Sequence, residues 1–568
     1  MPLLKIKSRM PPPPWAVLER KVLRKNAEAL RVFAEKYYDQ RGYLKVDATL
    51  GGGAGADDST EPTNNWGLLY ALGGNEYVLQ TLRKAWEGHY QQYTEAGGLH
   101  EEFIRSFDWQ HNGEQYRSFY DLGLCDPCNE KYSERVCRFA DFYLGMPNYN
   151  PNKRLIRSVL NGSAGPIMNA TLEDWGGQDF FKYWTGVKVR GDTPLNMQST
   201  SLVTTAFLIS GEKKYRDWVK EYADAWVERA RANNGIFPGN VGLNGKPGED
   251  WPQPAKQFPE YAPKGSKVYP WAGGVMGWSG WGGPHMVMSG VRMGLKNAFL
   301  LTANNAYLDA GKRQIEHLRK GMQIGVKANG KPLKTGGSGQ KQWLAEDLYL
   351  LRPDRYEDYF RQYWGPDKGR DQPHYEMGHT LDWIAWLDGE NANFPESILK
   401  KSLKHIDRRV RKIRADKSID WERECNLTGK NPVATAALTM LTTGGRQPSW
   451  RGSLLFARLR YFDPERGNPG LPPDVGALVD RIRDEEVHVT LVNLSTTTPR
   501  TVVVQGGAYA EHQITEIAVT NGPSRKINGR AFAVTLQPGA GAQIRVQMKR
   551  FVRNPTLSYP WGPCDEIR

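Results

Sequence analysis

A short pattern recurs three times along the chain, at the joints between predicted helices, and it constrains the fold more than any other feature. The copies run from Leu72 to Tyr77, from Leu208 to Tyr215 and from Leu301 to Tyr307. Each copy ends one apolar helix, makes a polar turn and opens the next helix with a tyrosine predicted to face inward. Since one helical hairpin cannot bury its apolar stripe alone, repeated hairpins must pack against one another. The pattern predicts a closed ring of hairpins whose function is carried by loops at one mouth.

The periodicity changes from helix to strand towards the end of the chain. The last helix is predicted over Gly452–Tyr461, and after Pro472 five segments rich in β-branched residues are separated by turns. With 568 residues, the chain also exceeds one ordinary hydrophobic core. We therefore predict a helical domain over residues 1–470, a small antiparallel β-sandwich over residues 485–550, and an extended tail over residues 551–568 that packs back on the helices.

Composition and charge indicate the kind of partner. The chain has 19 Trp and 26 Tyr, many of them in glycine-rich stretches, where an aromatic ring can stack on the apolar face of a sugar. Core filling is the alternative use of these rings. The formal net charge of +14 favours an anionic partner or simply aids solubility. Because the charges are dispersed and form no recognisable nucleic-acid module, we expect an acidic polysaccharide and no nucleic acid.

The cysteines and the apolar segments bear on the compartment. Cys125 and Cys128 form a CxxC pair with Cys137 nearby, but no second CxxC or histidine pair completes a zinc site. One local disulfide is predicted, with no metal and no cofactor. No apolar stretch is long enough to span a bilayer. The N-terminus lacks the apolar run of a signal peptide, and a chain whose leader had been removed would look the same. We expect a secreted or periplasmic protein without a membrane partner, and the sequence does not predict its oligomeric state.

A ring of helical hairpins followed by a small β-sandwich resembles the (α/α)6-toroid carbohydrate-active enzymes, which include six-hairpin glycosidases and toroid polysaccharide lyases. The resemblance extends over nearly the whole chain, at the level of architecture and hairpin joints, without the complete catalytic signature of one family. It implies a mainly α fold, an (α/α)6 toroid with a C-terminal antiparallel β-sandwich, and a carbohydrate substrate. It leaves hydrolase and lyase chemistry both open.

Polar residues that do not fit the helical period mark the candidate site. Asp57 and Asp58 precede a helix, where they could cap its free N–H groups, grip sugar hydroxyls or act as a base. The next stretch brings together Trp109, His111 and Glu114. An imidazole can take and give a proton near neutral pH, which general acid–base catalysis requires. Polar residues of an ordinary loop are the alternative interpretation.

Three further stretches carry candidate residues. Arg157 and Asn161 are suited to binding a carboxylate, the arginine through a paired fork and the asparagine through its amide. Around Trp278, Trp281 and His285, four glycines and a proline would let backbone and indole approach a ligand, although His285 could instead cap its helix. The last and weakest stretch begins with His374 and Tyr375 and extends to His379.

Three hypotheses for function follow. The leading one is a polysaccharide lyase acting on a uronic-acid polymer by β-elimination. Its candidates are Arg157 and Asn161 to neutralise the carboxylate, His285 or His111 to abstract a proton, Tyr120 or Tyr375 to donate one, and Asp57, Trp109, Trp278, Trp281 and His374 to bind substrate. The second is a glycoside hydrolase, which needs two carboxyl groups, here Glu114 with Asp57 or Asp58. The third is a glycan-binding protein without catalysis.

Overall fold

The structure is a computed structural model of the chain, and part of the chain is described. The described residues are 1–45, 59–95, 99–100, 103–104, 109–145, 149–156, 192, 194–238, 241–247, 283–319, 323–326, 332–334, 339–364, 379–417, 427–520 and 522–562.

Helices make up most of the described residues before residue 444. They are α1 (Pro14–Tyr37), α2 (Trp66–Ala71), α3 (Glu76–Glu95), α4 (Trp109–Cys125), α5 (Glu130–Asp141), α6 (Thr200–Ser210), α7 (Lys213–Ala232), α8 (Gly283–Thr302), α9 (Asn305–Arg319), α10 (Gly339–Leu351), α11 (Pro353–Trp364), α12 (Thr380–Leu387), α13 (Phe394–Ala415) and α14 (Ala436–Thr443). Short 3-10 helices cover Glu61–Thr63, Pro194–Ser199 and Thr428–Lys430. Among the helices described, none is both long and apolar enough to cross a bilayer.

The helices alternate between an inner and an outer ring. Helices α2, α6 and α14 are buried on nearly every side, whereas α1, α3 and α7 bury one stripe and expose charged residues. A helix that is apolar all round must be enclosed by others, and an amphipathic one belongs on the outside. In agreement, α2 contacts α4, α4 contacts α6, α6 contacts α8 and α8 contacts α10, while α1 packs between α3 and α13 and closes the outer ring.

The repeated joints place their tyrosines at equivalent positions. The Tyr215 hydroxyl on α7 donates to the carbonyl oxygen of Cys137 on α5 at 3.3 Å, and the Tyr307 hydroxyl on α9 donates to Asp224 of α7 at 2.7 Å. Tyr77 on α3 instead stays half-buried, with the guanidinium carbon of Arg31 on α1 lying 4.1 Å from its ring centre. In each joint the tyrosine therefore connects its outer helix to the preceding outer helix.

The hydrogen bond of Tyr307 can be tested without disturbing the packing of its ring. Tyr307→Phe removes the hydroxyl that donates to Asp224, and we expect a loss of about 1–2 kcal/mol in the free energy of unfolding. Urea denaturation measures this loss. Tyr77→Phe is the matched control, and it should change stability by less than about 0.5 kcal/mol. Equal stabilities of Tyr307→Phe and the unaltered protein would contradict the assigned role.

Two five-stranded sheets follow the helices. One has the order β1 (Leu3–Ile6), β15 (Ala531–Leu536), β12 (Arg500–Gly506), β8 (Leu459–Asp463) and β9 (Asn468–Pro469). The other has the order β10 (Val475–Ile482), β11 (Glu486–Asn493), β16 (Gly541–Lys549), β13 (Gln513–Val519) and β14 (Ser524–Gly529). Two-residue and longer pairs lie between helices, namely β2 (Leu99–His100) with β3 (Phe103–Ile104), β4 (Tyr149–Asn150) with β5 (Leu155–Ile156), and β6 (Gln323–Val326) with β7 (Pro332–Lys334). The predicted fold class, a mainly α toroid with a C-terminal antiparallel β-sandwich, is confirmed.

The sheets use more of the chain than the sequence pattern indicates. Strand β1, at the N-terminus, pairs in parallel with β15, and β8 and β10 precede the predicted start at residue 485. The helix predicted over Gly452–Tyr461 is wrong, since β8 begins at Leu459 within that range and Gly452 takes a positive φ of 89°. A short apolar run can be accommodated in a buried strand as well as in a helix, so periodicity alone could not distinguish them.

Helix α1 joins the toroid to the sandwich through a buried carboxyl group. Glu19 is 1% exposed and accepts from the backbone N–H of Ala477 on β10, with both carboxyl oxygens at 3.4 Å. Burial raises the pKa of Glu19 to about 8, although the neighbouring Arg20 opposes this rise. Glu19 is therefore protonated in the folded protein at neutral pH and ionised in the unfolded chain.

This difference predicts how stability depends on pH. Between the ordinary glutamate pKa of 4.5 and about 8, the folded protein binds the Glu19 proton more tightly than the unfolded chain does. The contribution of Glu19 to stability is therefore complete below pH 4.5 and is lost as pH rises to 8. Over this range the free energy of unfolding falls by up to about 1.4 kcal/mol per pH unit. Glu19→Gln should flatten the decline measured by urea denaturation across this range. The exposed-site control Glu28→Gln should keep the original slope, and an unchanged slope in Glu19→Gln would refute the assignment.

Candidate functional site

The connections between helices differ sharply in length according to their direction. Connections from an inner to an outer helix are short, covering residues 72–75, 126–129, 211–212, 303–304, 352 and 388–393. Connections from an outer to an inner helix are long, covering residues 38–65, 96–108, 142–199, 233–282, 320–338, 365–379 and 416–435. Because successive helices of a hairpin run in opposite directions, all inner helices begin at the same end of the ring. We call this end the N-terminal mouth, and the long segments all lead to it.

The chain leaves α14 through a hairpin, residues 444–458, which we call the lumen hairpin. Its two sides meet at an antiparallel bridge between Arg446 and Phe456. Arg446 pairs with Glu346 of α10, and Gln447 accepts from the Thr435 hydroxyl, next to α14, at 2.6 Å. Farther along, the Nε of Arg451 lies 3.7 Å from the Oε1 of Glu114 on α4. Contacts with α4, α10 and α14 place this hairpin inside the ring.

Two glycines let the tip of the lumen hairpin approach α4. A Cβ on Gly113 would overlap the carbonyl oxygen of Arg451 and would lie 2.6 Å from the Oε1 of Gln198. A Cβ on Gly452 would lie 2.6 Å from the carbonyl oxygen of Gly113. Since Gly113 belongs to the second turn of α4, the tip reaches the level at which the inner helices begin. The hairpin tip thus forms the floor of the N-terminal mouth.

Buried amide side chains lie at the starts of three inner helices at this mouth. Asn64 and Gln198 are each 1% exposed, and neither amide oxygen nor amide nitrogen of either residue has a hydrogen-bond partner among the described residues. The Nδ2 of Asn112, a residue of the first turn of α4, is in the same situation. Leaving a buried polar group unbonded costs about 1–3 kcal/mol. Buried amides in this state are typical of places where a bound molecule completes the hydrogen bonds.

The candidate residues whose side chains are described are Glu114, Tyr120 and His379, and the Nδ1 of His379, just before α12, lies 3.5 Å from Asp382. Glu114 is 3% exposed and lies beside Arg451 at the floor of the mouth. Tyr120 is 4% exposed, its ring stacks on that of Tyr116 at 6.4 Å, and its hydroxyl has no hydrogen-bond partner in the described part of the chain. Burial also raises the pKa of Tyr120. Tyr120 belongs to the packing between helices, a position that does not favour proton donation to a substrate.

The backbone positions of three other predicted residues are known. Trp109 and His111 are the first and third residues of α4, and His285 is the third residue of α8. Both helices are inner helices, and their first turns, which contain these residues, lie at the N-terminal mouth. The remaining predicted residues lie outside the described residues: Asp57, Asp58, Arg157, Asn161, Trp278, Trp281, His374 and Tyr375. In chain order, each belongs to a connection from an outer to an inner helix.

Sequence reasoning missed a buried carboxylate that holds two of these connections together. The Asp192 carboxylate accepts from the backbone N–H of Ile156 at 2.9 Å, from Asn196 at 2.8 Å and from the Tyr222 hydroxyl at 3.0 Å. Its backbone forms two hydrogen bonds of 2.7 Å with Val241. Burial raises the pKa of Asp192 to about 6. Asp192 therefore fixes both ends of the segment 157–191 and ties them to the segment that leads to α8.

The side chains that form the floor were also missed, and for Asn64, Gln198 and Arg451 the sequence carries little signal. Asn64 and Arg451 stand in irregular segments and Gln198 in a short 3-10 helix, and in none of these can burial be inferred from periodicity. Asn65, next to Asn64, offers one indication, since it takes a positive φ of 68° immediately before α2. Asparagine tolerates this left-handed conformation better than most residues, so the pair Asn64-Asn65 could have been predicted as a tight turn.

The cysteines do not pair as predicted. Cys128 is disulfide-bonded, while Cys125 and Cys137 are free thiols, so the bond is not a local one within the CxxC pair. Cys125 is buried on α4, where its thiol donates to the carbonyl oxygen of Gly67 at 3.1 Å and is directed into the helix packing. Within the described ranges, no three His, Cys, Asp or Glu side chains form a group that could hold a metal ion.

Comparison with known proteins gives a family. No curated protein matches the chain. Among solved structures, the cellobiose 2-epimerase from Bacillus thermoamylovorans B4167 is similar at 13% identity and a TM-score of 0.33, over 59% of this chain and 87% of that one. The sequence profile of a family described as "Domain of unknown function (DUF8034)" matches residues 5–188, 187–357 and 346–439. These segments cover most of the chain, which therefore belongs to this family.

Proposed function

We propose that the protein is a carbohydrate-active enzyme that cleaves an acidic, uronate-containing polysaccharide by β-elimination at the N-terminal mouth. The observation that carries this proposal is the mouth itself, where the unbonded amide of Gln198 lies near Arg451 across Gly113 and the unbonded amide of Asn64 stands just before α2. Amides supply both donors and acceptors, which suit sugar hydroxyls, and a guanidinium suits a carboxylate. The formal net charge of +14 favours a polyanion over a neutral glycan.

The proposed reaction distributes its steps among residues that begin the inner helices and residues of the connections that lead to them. A base removes the proton at C5 of the uronate, the electron pair of that bond forms the C4–C5 double bond, and the C4–O bond to the leaving sugar breaks. His285 or His111 is proposed as the base, because each is the third residue of an inner helix. The leaving oxygen takes a proton, for which Tyr375 is the remaining candidate. Arg157 and Asn161 are proposed to neutralise the carboxylate, which acidifies the C5 proton.

The second candidate function is glycoside hydrolysis. Glu114 favours it, since this carboxylate lies at the floor of the mouth beside Arg451 at 3.7 Å. Hydrolysis needs a second carboxyl group across the scissile bond, for which Asp57 and Asp58 are proposed. A glycan-binding protein without catalysis is the third candidate.

One assay separates the three functions. The protein is incubated with a panel of uronate polymers, and ultraviolet absorbance and new reducing ends are both followed. A lyase yields unsaturated uronates that absorb together with reducing ends, whereas a hydrolase yields reducing ends without absorbance. Binding of a polymer without either signal identifies a binding protein. Absence of both binding and cleavage across the panel would overturn the proposed substrate class.

Binding to an acidic polysaccharide should depend strongly on salt. The Debye length falls from about 10 Å at 0.1 M salt to about 3 Å at 1 M, so added salt screens attraction between a basic mouth and a polyanion. We expect the affinity for the acidic polymer, measured by titration calorimetry, to fall at least about tenfold over this range. A neutral polymer with the same backbone is the control. Equal affinities for the acidic polymer at low and high salt would count against a charge-based site.

We also propose that the protein is secreted or periplasmic. The disulfide of Cys128 supports this, because disulfides persist mainly in oxidising compartments. Fractionation of cells, followed by mass spectrometry of non-reduced peptides that contain Cys128, tests both points. A reduced Cys128 in protein recovered from the cytosol would overturn them.

A further inference from the structure

A second polar cluster lies at the opposite end of the lumen hairpin from the mouth. It surrounds a cavity of about 30 Å³ between the toroid and the sandwich. The charged residues that line the cavity come from α8, α10, the lumen hairpin and the sandwich: Arg292, Lys296, Asp347, Arg446, Arg458 and Arg550, together with Glu511. None of these side chains has a part in the proposed reaction.

Positive charge exceeds negative charge around the cavity. Asp347 pairs with both Arg292 and Lys296, the latter at 3.1 Å, so one carboxylate serves two cations. Arg446 pairs with Glu346, and Arg550 lies 3.5 Å from Asp484. Arg458 instead donates to the carbonyl oxygens of Leu350 and Asp484. Within the described part of the chain, these five cations therefore face three paired carboxylates.

The remaining acid at the cavity does little to offset this surplus. Burial raises the pKa of Glu511 to about 7, so its carboxyl group is largely protonated below neutral pH. Burial alone would also raise the pKa of Asp347, but Arg292, Lys296 and Arg446 hold it well below its usual range. The described side chains around the cavity thus carry a surplus of positive charge, as a buried anion would require.

Two cations at the cavity retain unused donors. Among the described residues, Arg292 donates through its Nε, to Asp347, and its two terminal nitrogens have no protein partner. The Lys296 ammonium contacts Asp347 and lies 4.5 Å from the ring centre of Phe456, which leaves further N–H groups unbonded. Both side chains are at most 8% exposed. Buried cations without sufficient partners are strongly destabilising, and an anion between them would remove that cost.

We propose that this cavity binds one small monovalent anion with the chemistry of chloride. The bound anion would connect the toroid to the sandwich. The cavity volume of about 30 Å³ has room for about two water-sized spheres, which suits a single small anion. The donors would be Arg292 and Lys296 from the toroid, with Arg458 and Arg550 completing the positive surroundings. The anion site is separate from the N-terminal mouth and does not depend on the proposed activity.

Thermal unfolding in sodium chloride, compared with sodium methanesulfonate at equal ionic strength, tests the proposal. Methanesulfonate is bulkier than chloride and controls for general salt effects. We expect Tm to rise with chloride by about 1–3 °C for each tenfold increase above the dissociation constant, and bromide to act likewise. The rise in Tm with chloride should become smaller between pH 7 and 9. In this range Lys296 loses its proton, because burial lowers its pKa to about 8, and Glu511 ionises.

A matched pair of lysine variants assigns the response to this cavity. Lys296→Met should abolish the difference between chloride and methanesulfonate, whereas Lys312→Met, an exposed lysine on α9 paired with Glu316, should keep it. If Lys296→Met does not fold, anomalous scattering from bromide in crystals of the unaltered protein gives the answer directly. A bromide peak beside Arg292 and Lys296 supports the site. Water alone at that position, identical Tm values in the two salts, or a full response in Lys296→Met would overturn it.

Discussion

Replacing His285 with alanine is expected to lower turnover of the acidic polysaccharide by about 10²–10⁴-fold, the usual contribution of a positioned acid–base group. His285 is the third residue of α8, an inner helix, and its backbone therefore lies at the N-terminal mouth, where substrate is proposed to bind. The free energy of unfolding should change little. Steady-state kinetics on the polymer identified by the panel, combined with thermal unfolding of the same samples, measures both quantities.

A histidine remote from the mouth provides the control for this variant. His488 lies on β11 in the sandwich, where it contacts Glu486 at 2.9 Å, so His488→Ala should retain full turnover. Full activity of His285→Ala would show that the base is elsewhere. His111, the third residue of α4, would then be tested next, followed by the stretch from His374 to His379. Loss of activity together with loss of folding would identify a structural histidine instead.

Removing Glu346 is expected to have the largest effect on stability. Glu346 on α10 is fully buried and pairs with Arg446, which is 8% exposed, so Glu346→Ala leaves a buried guanidinium without its nearest carboxylate. Among the described residues, the other acid near Arg446 is Asp347, whose Oδ1 lies 3.8 Å from Nη1 of Arg446 and which already serves two cations. Breaking a buried pair from one side costs about 3–5 kcal/mol. Urea denaturation should show a loss of this size.

The double variant shows whether the cost comes from the unpaired charge. Glu346→Leu combined with Arg446→Met replaces the pair with apolar side chains, and it should recover most of the lost stability. Asp388→Ala breaks the more exposed pair with Arg361 and should cost at most about 1 kcal/mol. If the double variant is no more stable than Glu346→Ala, the lumen hairpin is not anchored by this pair in the way described.

The parts of the fold that are encoded locally could be predicted from the sequence. The joints that end in Tyr215 and Tyr307 repeat a helix end, a turn and a buried aromatic residue, all within a few positions of one another. Amphipathic outer helices and wholly apolar inner helices leave distinct periodic patterns. For this reason the alternation of helices, and with it the toroid, could be inferred without knowledge of any distant contact.

The parts that depend on distant partners could not be predicted. Strand β1 has no recognisable pattern of its own and becomes a strand by pairing with β15, more than 500 residues later. The lumen hairpin was partly assigned to a helix, because nothing in its sequence shows that it lies inside a ring. Long-range pairing is decided by the assembled core, which local propensity does not describe.

The candidate site shows the same division. Residues that are conspicuous by type, such as His285 and Glu114, were predicted because their chemistry suits catalysis. Asn64 and Gln198 were missed because an amide among other polar residues gives no indication that it is buried without a partner. Asp192 was missed for a related reason, since its hydrogen-bond partners are dispersed from Ile156 to Tyr222.

The most direct test of the account is a crystal structure of His285→Ala soaked with an acidic oligosaccharide that the unaltered enzyme cleaves. The account predicts an intact sugar chain at the N-terminal mouth, above the tip of the lumen hairpin, with hydrogen bonds to Gln198 or Asn64 and with Arg451 near a carboxylate. A sugar bound instead on the β-sandwich or on the outer helices, with the mouth unchanged, would contradict the assignment of the site.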